Sequence, residues 1–217
     1  MVERSIKELV MMAKAATAIL ALWMVATAAA GAAAAHEGAV GQVRSCSRVE
    51  RNGARTLCHE IVVSAPREAV WALFSTSEGL STWIAPYVAL DLRIGGLWEA
   101  SYRVGAHAGD AANIRNRVLS YAPGRMLSIQ VERAPPGFPH ADLVAGTWSV
   151  IELQDEGSGA TRVRVSGMGY GAGDGFDELY AFFERGNAWT LEQLQARVLN
   201  GPTDWSVVSA PASERGQ

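Results

Sequence analysis

The chain has 217 residues, 49% hydrophobic and 19% charged, with a formal net charge of −3. That composition supports a packed core and excludes a disordered chain, and the length suits one ordinary domain plus a leader. There is no basic surplus for a nucleic acid, and the only lysines, Lys7 and Lys14, leave the rest of the chain without an amine for Schiff-base chemistry.

Residues 15–35 are uncharged and alanine-rich, with Lys14 just before them. Their apolar centre, 19–25, is shorter than the ~20 strongly apolar residues of a membrane span. Ala33 and Ala35 fit the small-residue cleavage pattern. We expect a secretion signal over 1–35, a mature chain starting at His36, no membrane span after cleavage, and a periplasmic or secreted location. An uncleaved anchor and a cytosolic chain are the rival readings, and Met11 or Met12 are alternative starts.

Cys46 and Cys58 are the only cysteines, and Arg51-Asn52-Gly53 between them is a turn signal. With Gly53 left-handed in a three-residue loop, Glu50 faces Ala54 and Cys46 faces Cys58. A cross-strand disulfide is then expected in an oxidising compartment. Without further close ligands the pair makes a poor zinc motif, and Cys-x-x-Cys spacing is absent. No metal and no cofactor are expected.

Residues 40–48 and 56–63 alternate as the arms of that hairpin. Ser64 reads as an N-cap, Pro66 sits near the first turn, and Val70, Trp71, Leu73 and Phe74 form the apolar face of a helix. A short helix follows at 77–83, then an extended segment at 86–92. The Gly95-Gly96 turn leads into a strand at 97–104. Residues 105–113 read as a loop, 114–121 and 125–132 as strands, and the proline-rich 134–142 as a loop. Strands at 146–153 and 161–166 flank a turn at 155–159, and glycine-rich 167–175 reads as a gate or plain turn. The last helix spans 174–199, with Leu179, Phe183, Gly186, Thr190 and Leu194 on one stripe. Asn200-Gly201-Pro202 ends it, and the polar residues 201–217 form a flexible tail.

Several pieces in this order resemble one family. They are Ala65-Pro66-Arg67-Glu68-Ala69-Val70-Trp71, then Trp83 with Pro86, Asp91-Leu92-Arg93-Ile94-Gly95-Gly96, the turn within 118–127, Gly159-Ala160-Thr161-Arg162-Val163, and Trp189 with Leu194. The chain is similar to the START-like superfamily (SRPBCC, or Bet v 1-like) over about residues 57–199. Within it, the pieces resemble the branch named after the activator of heat-shock protein 90 ATPase. The resemblance implies an α+β helix-grip fold, a curved antiparallel sheet wrapped around a long C-terminal helix, here with an added N-terminal disulfide hairpin. The domain would span 36–200. Family members include ligand carriers, cyclases and co-chaperones.

In this fold the cavity lies between sheet and helix. Its expected aromatic lining is Trp71, Trp83, Tyr87, Trp98, Tyr102 and Trp148 from the body, with Phe176, Tyr180, Phe183 and Trp189 from the last helix. Arg115 and Arg117 share one strand face and, if inward, would hold an anionic head group; if outward, they are cross-strand partners of an acid such as Glu99. His59 reads as a strand-surface residue. His107, His140 and Asp142 would do acid–base work if their loops converged. No HExxH, Gly-x-Ser-x-Gly or phosphate-loop pattern occurs.

The expected function is an exported binding protein for a hydrophobic small molecule (lipid, isoprenoid or aromatic polyketide), monomeric or weakly dimeric. The rivals are a cyclase- or dehydratase-type enzyme using the same cavity, and an envelope stress or chaperone-like interaction module.

Overall fold

The computed structural model describes residues 41–208; the expected signal segment lies outside them. β1 (Arg44–Ser45) and β2 (Arg48–Val49) pair antiparallel with β3 (Arg55–Val63) as one interrupted hairpin arm. The register is continuous, with Ser45 opposite His59 and Arg48 opposite Thr56. At the tip the Glu50 N–H donates to the Ala54 carbonyl at 2.8 Å, and Gly53 takes φ 82°, a left-handed value that favours glycine. Cys46 and Cys58 form a disulfide across the hairpin, with Cα atoms 4.8 Å apart.

Helix α1 (Arg67–Ser75) is capped by Pro66, not Ser64, and carries no side-chain cap bond. The reason is local: the Ala65 N–H turns back to the Val63 carbonyl, and Pro66 is extended and has no N–H that needs an acceptor. Thr76 ends α1 and caps α2 (Ser77–Ser81), accepting the Gly79 N–H at 2.9 Å.

The remaining strands are β4 (Tyr87–Leu90), β5 (Leu97–Ser101), β6 (Ile114–Ala122), β7 (Met126–Arg133), β8 (Trp148–Gly157) and β9 (Ala160–Tyr170). The sheet runs β1-β3-β9-β8-β7-β6-β5-β4, with β2 also on β3. Every pair is antiparallel. Register shifts in β3, β6 and β8 bend the strands and curve the sheet. β5 stops at Ser101, whose hydroxyl takes the Arg103 N–H. β9 runs on through Tyr170, into a stretch whose glycines read as a turn. It stays a strand because Gly167 pairs with Leu57 and Ser149, and Tyr170 pairs with Arg55.

A short helix α3 (Ala141–Val144) lies between β7 and β8, and α4 (Asp174–Asn200) is the long C-terminal helix. The chain then forms α5 (Trp205–Val208). That start of the expected loose tail is docked: the Trp205 indole N–H donates to the Ser81 carbonyl at 2.7 Å, and the Thr203 N–H donates to the Thr82 carbonyl at 2.8 Å.

Two apolar clusters hold α4 against the sheet. The larger gathers Val63, Val70, Phe74, Trp83, Leu127, Leu191 and Leu194. The smaller gathers Leu57, Val144, Tyr170 and Leu179.

Candidate functional site

The burial of α4 is split. Leu179 is fully buried near its start, Leu191 and Leu194 toward its end. Between these anchors the helix presents Phe183, Asn187 and Thr190 to a cavity of about 180 Å³. The sheet supplies Trp98, Asn116, Ile129, Ile151 and Val165 as the facing wall, and Trp83 and Phe74 close another side. The Trp83 indole N–H donates to the Leu73 carbonyl at 3.0 Å, and its ring meets Phe74 edge-on at 5.1 Å. A second compartment of about 280 Å³ shares Tyr102, Ile114, Phe183 and Asn187 with the first and extends to Phe138, Phe182 and Trp189.

The large side chains around this opening are unusually exposed: Tyr102 at 65%, Trp189 at 44% and Trp148 at 38%. They form an aromatic rim over an apolar interior. Trp148 lies over Gly169, whose φ is 88°. A Cβ at Gly169 would collide with the Gly146 carbonyl oxygen and crowd the Trp148 ring.

Among the described residues no charged side chain lines the 180 Å³ cavity, and the ionisable groups there are Tyr102 and Tyr170. Burial, with help from the neighbouring Tyr180, pushes the Tyr170 phenol well above its usual range despite Arg55 nearby. Tyr170 is therefore a donor at neutral pH. The Thr190 hydroxyl donates to the Gly186 carbonyl at 2.8 Å, and that of Thr147 to the Val144 carbonyl at 2.8 Å. The Trp98 indole N–H is buried and has no partner among the described residues.

Of the residues expected to line a cavity, Trp83, Trp98, Tyr102, Trp148 and Phe183 meet around the 180 Å³ cavity, and Trp189 joins at the second compartment. Trp71 packs against the main core from α1. Tyr87 sits on the edge strand opposite Ser101. Phe176 packs in the smaller cluster. Tyr180 stacks edge-on with Tyr170 at 5.1 Å and lies under the Arg55 guanidinium at 5.3 Å. Arg115 and Arg117 alternate with cavity-lining Ile114 and Asn116 and so point to the other face. There Arg117 bonds to Glu132 at 2.8 Å and to the Gly95 carbonyl at 3.0 Å, and Arg115 stands opposite Glu99.

His107 and His140 engage separate acidic partners. The His107 N–H donates to Asp110, and the His140 ring pairs with Glu178 at 2.7 Å. His59 is not on the surface: it is 5% exposed on the β3 face that also carries Leu57, Ile61 and Val63. Its neighbours bury it on that face, and burial lowers its pKa although Glu184 opposes the shift. Among the described residues, no cluster of His, Cys, Asp and Glu is suited to a metal ion.

Sequence reasoning missed Asn116, Asn187 and Tyr170. Once Arg115 and Arg117 are assigned outward, alternation turns Asn116 inward, and Asn187 lies one helical turn beyond Phe183.

A family model described as polyketide cyclase / dehydrase and lipid transport matches residues 54–199. No curated protein is significantly similar in sequence. Among solved structures, the Aha1 dimer from Colwellia psychrerythraea superposes with a TM-score of 0.54 at 17% identity, covering 67% of this chain and 97% of that one. CalU16 from Micromonospora echinospora gives 0.52 at 19% identity, covering 73% and 87%. XoxI from Bacillus cereus gives 0.52 at 21%, covering 67% and 96%. At these identities the likeness shows a common START-like fold.

Proposed function

We propose, since this chain belongs to the polyketide cyclase / dehydrase and lipid transport family, that it is an exported protein binding a hydrophobic small molecule between its sheet and α4. A lipid, an isoprenoid or an aromatic polyketide has the required apolar surface. The observation that carries this reading is the 180 Å³ cavity, walled by aromatic and aliphatic side chains and, among the described residues, by no charged one. Burying apolar area there contributes about 25 cal/mol per Å². The aromatic rim gives such a ligand an apolar way in.

Export draws support from the Cys46–Cys58 disulfide, a bond that persists in oxidising compartments. Among the described residues, no helix is long and apolar enough to cross a membrane. The cyclase or dehydratase alternative needs an acid or base at the ligand. Among the described residues the 180 Å³ cavity offers Tyr102 and Tyr170 alone as ionisable groups, and burial raises the Tyr170 pKa, which makes it a poor acid. Holding a ligand is the better-supported role.

Native mass spectrometry of protein purified from the exported fraction tests this. The expected result is an extra mass, lost on denaturation, that identifies as a neutral or weakly polar hydrophobic compound. Bare protein that also takes up no such compound when offered a panel of them would refute the binding role.

A further inference from the structure

We propose that the cavity selects an uncharged ligand through a hydrogen-bond acceptor, a carbonyl or hydroxyl oxygen, that takes the Trp98 indole N–H. This rests on the cavity reading above and specifies its ligand. Trp98 is 4% exposed and lines the cavity, and its N–H has no partner among the described residues. An indole nitrogen can only donate, and a buried donor left unpaired is costly. Other indoles in the molecule show the usual arrangement: Trp83 donates to the Leu73 carbonyl, and Trp205 to the Ser81 carbonyl.

The position of Trp98 is fixed. It is the second residue of β5 and is paired on both edges, with Leu90 opposite on one side and Asn116 on the other. Asn116 is 8% exposed and also lines the cavity. The Trp98–Asn116 pair therefore puts a neutral donor and a neutral amide side by side on a wall whose other polar groups, Ser149 and Tyr170 among them, carry no charge either. Charge is excluded on the same grounds. The nearby Arg115 and Arg117 face away and are engaged with Glu132. A carboxylate or phosphate inside the cavity would lose its hydration and meet no cation.

The test uses three bicyclic probes of similar size on the full protein: tetralin, 1-tetralone and 1-naphthoate. Affinities are measured by calorimetry, and the Trp98 indole N–H is followed by nitrogen-15 NMR. We expect 1-tetralone to bind about two- to tenfold more tightly than tetralin, to move the Trp98 N–H resonance, and to outcompete 1-naphthoate. In Trp98→Phe both neutral probes should still bind, with the ketone's advantage gone. Equal affinities for tetralin and 1-tetralone with an unmoved Trp98 resonance overturn the proposal and leave the cavity reading standing. Tighter binding of 1-naphthoate overturns it as well. Failure of both neutral probes at millimolar concentration removes the cavity reading and the proposal together. The wild-type resonance distinguishes these outcomes even where Trp98→Phe does not fold.

Discussion

His59 is a polar group placed where water does not reach. Its ring nitrogen Nδ1 has no partner among the described residues, and burial pulls its pKa below the ordinary 6.5 against the pull of Glu184. A lowered histidine pKa means that the unfolded chain binds the proton first. Stability contributed by the neutral ring is present above the unfolded value and falls as pH drops below about 6.5 toward the folded value. The urea midpoint should therefore fall between pH 7.5 and 5.5, and His59→Leu should lessen that fall. Equal falls in wild type and variant would clear His59 of the effect. Why the sequence hides this residue is visible in β3. Cys58 and Val62 on one face are buried, and so are Leu57, Ile61 and Val63 on the other. Alternation then gives no inward face. The same ambiguity affects β6, where Arg117 finds Glu132 only once β7 is laid beside it. The grouping of Trp98 and Ala100 on one face of β5, with Tyr102 just past its end on the same cavity, is readable from spacing alone.

At the scale of elements, α4 is the most legible part of the chain. Its stripe, and the Gly201 that follows it, locate it within a residue of Asp174–Asn200. What spacing does not tell is which side chains in the stripe press on a neighbour and which face a void. Leu194 is fully buried away from the cavity, while Thr190 one turn before it lines the cavity. Gly186 is the telling position, because a Cβ there would meet none of the described residues within 4 Å, and it borders the outer compartment. Gly186→Ala should raise stability by about 0.5–1 kcal/mol through helix propensity, seen as a higher denaturation midpoint with ligand uptake unchanged. Gly186→Phe should keep the fold and lose uptake. Retained uptake in Gly186→Phe would mean that ligands enter elsewhere. The hairpin is legible too, since Gly53 fixes its loop and the loop aligns the cysteines. Replacing Cys46 and Cys58 by serine should cost about 2–3 kcal/mol, measured by denaturant titration, and reductant should lower the wild type to the same value.

For the whole molecule, the helix-grip fold is anticipated through the resemblance of the ordered motifs to the START-like superfamily, while local chemistry makes the strand–helix entry, glycine turns and closing helix individually legible. The cavity is different in kind. It lies between the sheet and α4, along the stretch of helix bounded by Leu179 at one end and Leu194 at the other. A space left unfilled has no residue of its own to betray it in the sequence.

The closure of the sheet has a consequence for how the molecule is made. β3 takes its hairpin partners from residues just before it, and Cys46 and Cys58 are only 12 positions apart. Its other edge waits for β9, which joins Val63 to Thr161 from far along the chain. Local pairings form fast and distant ones slowly. A nascent chain can thus complete and oxidise its hairpin early, and then carry β3 with one edge open until the last strand is synthesised. During that interval the open edge can template pairing with another chain, so truncation before β9 should favour aggregation even where the hairpin disulfide has formed.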